Sequence, residues 1–148
     1  MATTASYYGT NYTVADNQPG VASFLDANEW GGHVRVLTDT FTAGATDTGT
    51  AGSFIYIGKL PKGSVPLMTV MTSPATRTWT ATVGWSGAAS ALGTFAAGVA
   101  GIGQVSNTPV SQAGTQLTEN KDVYITTATD AIVSGDIVTT SIFYVNGA

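Results

Sequence analysis

The sequence predicts an all-β chain, a single jelly-roll-like or β-sandwich domain preceded by an extended N-terminal arm. Three observations predict it. Short β-branched and aromatic runs recur between turn residues from position 33 onward. One of them, residues 78–83, alternates strictly, with Trp79, Ala81 and Val83 on one face and Thr78, Thr80 and Thr82 on the other. No stretch carries a helical pattern free of glycine. At 148 residues the chain fits one domain, which buries roughly 70% of the surface its unfolded form would expose.

Residues 1–32 read as the arm and 33–148 as the sandwich domain. The arm holds Tyr7, Tyr8 and Tyr12, the turn-forming Asn17-Gln18-Pro19-Gly20, and Trp30-Gly31-Gly32, without sustained periodicity. Disordered tails are poor in aromatic residues, so its composition predicts an arm docked over the domain or over a neighbour. Strands are expected at 34–38, 53–57, 65–72, 78–83, 121–127 and 136–145. The Thr/Ala/Gly-rich residues 42–52 separate the first two, and Pro61 and Gly63 supply the next turn. Pro66 falls near a strand start, where a missing N–H is tolerated.

Residues 88–103 are less clear. Leu92, Phe95 and Val99 have helical spacing, but Gly93, Gly98, Gly101 and Gly103 each weaken a helix by up to ~1 kcal/mol. A loop with a short strand or a single helical turn is the expectation. Asn107-Thr108-Pro109 then breaks the chain, and Ser134-Gly135 turns it into the last strand. The strands at 53–57 and 136–145 are apolar on both faces. One face fills the core, and the other requires cover from the arm, a loop or another subunit.

Charge bounds the function. Only 9% of residues are Asp, Glu, Lys or Arg, against about 25% in ordinary soluble domains. Such a surface is either rich in hydroxyls or covered by partners. The net charge of −4, with Lys59 and Lys62 as the only close basic pair, argues against binding nucleic acid. No apolar run approaches the ~20 residues of a membrane helix, and residues 1–8 lack the basic and apolar regions of a signal peptide. Synthesis in the host cytoplasm is therefore expected, without a membrane partner. The match of Asn11-Tyr12-Thr13 to a glycosylation pattern is then a chance one.

Catalytic readings find little support. The chain has no cysteine and one histidine, His33, so neither a thiolate nor a multi-histidine metal site is available. Gly84-Trp85-Ser86-Gly87-Ala88 resembles a nucleophile elbow but lacks the closing glycine, and His33 precedes the serine. Gly58-Lys59 is followed by Leu60, and Ser53 stands where a phosphate-binding loop has its first glycine. The glycines at 98, 101 and 103 lack dinucleotide-binding spacing, and Asp39 with Asp47 makes no calcium loop. Asp26 and Glu29 beside Trp30 supply the two acids and the aromatic floor of a glycosidase, yet acids near a tryptophan in a Gly-rich loop are common for structural reasons alone. A non-catalytic protein with no cofactor is the expectation.

Residues 33–145 resemble the capsid decoration (cement or head-stabilisation) proteins of tailed bacteriophages. The resemblance is carried by the strand and Thr/Ala/Gly-rich loop of residues 34–50 and the apolar strand running into Lys59-Leu60-Pro61-Lys62-Gly63. It continues through Thr80-Ala81-Thr82-Val83-Gly84 and residues 129–136, and closes on Phe143-Tyr144-Val145. It implies a jelly-roll domain on the outer face of an icosahedral shell, bound to the major capsid protein as a homotrimer or homodimer and bridging capsomers. The family has no catalytic residues to carry over. Tyr7, Tyr8, Tyr12, Trp30 and Trp85 are the candidate interface residues, aromatic groups being common interface anchors. Trp79 is expected in the core.

Two other readings compete. A carbohydrate- or receptor-binding module would use Trp30 with Asp26 and Asn28, or Trp85 with Ser86. A shell-forming jelly-roll subunit would close into particles alone.

Overall fold

A computed structural model describes residues 34–47, 49–107 and 114–146. The arm, with Tyr7, Tyr8, Tyr12, Asp26, Asn28, Glu29 and Trp30, lies outside these residues, as does His33. Eight strands follow one another: β1 (Val34–Thr42), β2 (Phe54–Leu60), β3 (Ser64–Thr72), β4 (Thr80–Trp85), β5 (Ala88–Phe95), β6 (Gln104–Asn107), β7 (Lys121–Ala128) and β8 (Ile137–Asn146). The described residues contain no helix.

The strands form two four-stranded sheets, ordered β1-β8-β3-β6 (sheet A) and β2-β7-β4-β5 (sheet B). The first strand pairs with the last, the second with the seventh, the third with the sixth and the fourth with the fifth, all antiparallel. This nesting is a long hairpin rolled up on itself. It defines a jelly roll.

Alternation along the strands builds the core. Ala81 and Val83 of β4, with Trp79 just before it, point inward, while Thr80 and Thr82 point out. Val123 and Ile125 do the same on β7, and Val138 and Ile142 on β8. Leu60, Leu92 and Phe95 fill the space between. Burying a side chain of this size contributes about 1.5–3 kcal/mol, so the alternating positions fix the register.

Residues 88–103, expected as a loop with a short strand or a single helical turn, hold the strand β5 and then a connection into β6. Gly93 has a φ of +143°, and a Cβ there would stand 2.4 Å from the Ser106 hydroxyl. The chain kinks at Gly93, so Ala91, Leu92 and Gly93 are buried in succession and the period-2 signal disappears. Gly84 marks a second close approach. A Cβ there would lie 2.2 Å from the Ala88 carbonyl oxygen, beside a register shift between Val83 and Trp85. Residues 86 and 87 then turn β4 into β5, so the segment resembling a nucleophile elbow is a hairpin. Pro66 is accommodated beyond the part of β3 that β6 pairs, next to a register shift against β8.

Arg77 lies in the connection between β3 and β4. It is only 2% exposed. Its guanidinium donates to the carbonyls of Trp79 and Ala96, approaches the Met71 sulfur at 3.2 Å, and lies 4.6 Å from the centre of the Trp79 ring. The Trp79 indole donates in turn to Asp136 at 2.8 Å. Burial pushes the Arg77 pKa down, and Asp136 opposes that shift.

Candidate functional surfaces

Registration brings residues of one parity together on the outward side of each sheet. On sheet A, Val34 faces Val145, which faces Val65; Val36 faces Phe143, which faces Met68. The next row is Thr38, Ser141, Val70 and Val105, and the one after it Thr40, Thr139 and Thr72. The outer face is therefore graded along the strands. At its hydroxyl end Thr38 donates to Ser141 at 3.0 Å and Thr40 bonds Thr139 at 2.9 Å, cross-strand pairs that satisfy one another. At the other end two rows are aliphatic or aromatic across β1, β8 and β3, and the second continues to Asn107 on β6.

The outer face of sheet B has a different chemistry. Phe54 is 69% exposed and Tyr56 58% exposed. Phe54 meets Tyr124 edge-to-face, with ring centroids 5.1 Å apart. Around them stand the outward side chains of Thr82, Thr94 and Thr126, although the Thr126 hydroxyl itself is shielded from solvent. The Tyr56 hydroxyl donates to Asp122 at 3.5 Å, and Lys59 pairs with the same carboxylate at 3.4 Å.

This aromatic face runs into a cleft lined by Trp85, Ser86, Glu119, Asn120, Lys121, Asp122 and Tyr124. The Lys121 ammonium lies 5.8 Å from the centre of the Trp85 ring and bonds Glu119. That bond holds the Glu119 carboxyl below the usual carboxylate range. Trp85 itself is buried, only 6% exposed, although it lines the cleft. Lys62 does not line it, but its backbone N–H donates to Asn120 at 2.8 Å.

Sequence reasoning named Trp85 for this region and missed Phe54, Tyr56 and Tyr124. The signal was available: residues 53–57 read as apolar on both faces, which places two large side chains outside the core. Among the described residues no three His, Cys, Asp or Glu are grouped to hold a metal ion. No described helix is long and apolar enough to cross a membrane.

The topology defines a jelly-roll domain, with an apolar patch on the outer face of each sheet. Two solved structures similar to it come from phage capsids. A chain of the Cyanophage Pam1 capsid asymmetric unit is 25% identical with a TM-score of 0.57, over 88% of this chain and 96% of that one. A chain of the capsid of Ralstonia phage GP4 has the same fold at 24% identity and a TM-score of 0.61, over 79% of this chain and 86% of that one. No protein-family model and no curated protein sequence matches the chain. The likeness supports a tailed-phage capsid-associated protein with a structural role.

Proposed function

We propose that the chain is a non-catalytic decoration protein that binds the outside of a phage head and bridges capsomers as a homodimer or homotrimer. The observation that carries this reading is the pair of apolar outer faces on a domain with so few charges. The likeness to phage capsid chains indicates the setting. Phe54 and Tyr56 are rigid, protruding and clustered with Tyr124, the composition of an interface hot spot. The outer face of sheet B, with the cleft beside it, makes the contact with the major capsid protein. The Thr82 and Thr94 hydroxyls beside the aromatic trio and the Lys59 and Asp122 pair supply its polar rim. Repeated symmetric contacts multiply any like-charge penalty, which suits a surface with few charges.

The test is sedimentation of purified chain with undecorated heads of its phage. Saturable pelleting at a fixed ratio to capsid protein, together with heads that release DNA at a higher temperature, is expected. Pelleting that rises without limit, or heads no more heat-resistant than before, contradicts it.

A further inference from the structure

Among the described residues four strands stand at sheet edges: β1 and β6 in sheet A, β2 and β5 in sheet B. An open edge accepts another strand unless shortness, a bulge, lysine or proline blocks it. β6 has only four residues. β2 carries Lys59 and a register shift between Tyr56 and Gly58. β5 bends at Gly93 and meets β4 across a register shift. β1 has none of these devices. It runs for nine residues without lysine or proline, in unbroken register with β8.

Parity defines the open side of β1. Ala43 donates to the Asp136 carbonyl at 2.8 Å, continuing the register of the strand. Odd-numbered residues therefore exchange bonds with β8, and even-numbered ones direct N–H and C=O to the free edge. The Thr40 N–H, on that edge, donates to the carboxylate of its neighbour Asp39 at 2.8 Å.

Charge selects what pairs there. Arg35 and Asp39 are the charged residues of β1, opposite in sign, both exposed and placed symmetrically about Leu37. Neither forms an ion pair among the described residues. Charges of one sign would repel a second copy of the strand, but this arrangement is its own complement. Two β1 strands set antiparallel about Leu37 place each Arg35 opposite Asp39 of the other copy. Val36 then faces Thr38 of the second copy and Val34 faces Thr40, all even-numbered, so the free main-chain groups bond one another. The Thr40 N–H passes to the facing Val34 carbonyl, which releases the Asp39 carboxylate to the facing Arg35. Moving the axis one residue either way separates the charges.

We propose that the chain forms a two-fold dimer through β1, joining the four-stranded sheets A of two copies into one continuous sheet. The axis relating two antiparallel strands runs perpendicular to their sheet, so both copies carry sheet B on the same side. Both aromatic faces then point towards one surface. This deepens the proposed function and rests on it only for the shell as that surface; the dimer itself needs no phage heads.

Light scattering on the full chain is expected to give a dimer. Arg35→Asp and Asp39→Arg, each alone, set like charges against one another across the axis and should weaken the dimer about tenfold or more. Mixing the two variants restores both pairs, so a heterodimer as tight as the parent dimer is expected by native mass spectrometry. The double variant, Arg35→Asp with Asp39→Arg, restores them within one chain and should also dimerise as the parent does. Circular dichroism spectra matching the parent show that each variant keeps the fold. A monomeric or trimeric parent overturns the proposal. Single variants that dimerise as tightly as the parent overturn it, and so does a mixture that forms no heterodimer. A monomer that still binds heads saturably removes this dimer and leaves the proposed function standing. A charge-dependent dimer that leaves heads bare does the reverse.

Discussion

Two residues show how the interior is satisfied and where it is not. Arg77 is held by two carbonyls, a sulfur and the Trp79 ring, while its buried Nε has no hydrogen-bond partner among the described residues. Arg77→Ala should cost about 3 kcal/mol, because a buried polar network loses its central member. Arg77→Lys should recover only part of that, since an ammonium has no planar fork. Urea midpoints measured at constant slope check both values. Thr140 presents a simpler case. It is buried on the central strand β8, and its hydroxyl has no hydrogen-bond partner among the described residues. Thr140→Val keeps the β-branched shape and removes the unpaired group, so a gain of about 1 kcal/mol is expected. A loss of stability would show that the hydroxyl is solvated in solution.

At the scale of elements, the kinked strands and the protruding face give separable predictions. Gly93→Ala should destabilise the fold by about 2 kcal/mol or more, because its backbone conformation and the Ser106 side chain both exclude a Cβ. Thermal unfolding followed by circular dichroism reads this directly. Phe54→Ser with Tyr56→Ser should leave stability within about 0.5 kcal/mol, since both groups already stand in solvent. The same pair should weaken binding to heads by about 30-fold or more, read as a shift of the saturation curve. The strands that these residues occupy were legible because alternation survives in them: Trp79, Ala81 and Val83 announce β4, and residues 53–57 announce β2. β5 was not legible. The kink at Gly93 puts Leu92 and Phe95 into the core at a helical spacing, and the glycine count then resembles a loop. β6 has four residues and pairs along one edge only, too short to leave a pattern.

The surface is a property of the whole molecule, and the sequence carried only half of it. Scarce charge and a two-sided apolar β8 predicted a partner. The graded face of sheet A needed cross-strand register to appear, because Val36, Phe143 and Met68 are distant in sequence and adjacent in space. The aromatic face of sheet B likewise needed Tyr124 to be brought against Phe54. A jelly roll with opposed apolar faces is suited to sit between a shell and its own copies, and the resemblance to phage capsid chains fits that geometry. The most direct measurement is size-exclusion chromatography with light scattering, on the protein alone and mixed with undecorated heads. A discrete dimer or trimer, or a monomer that transfers saturably to the head fraction, is the predicted result. A monomer that leaves the heads bare, or protein that closes into particles by itself, would contradict the account.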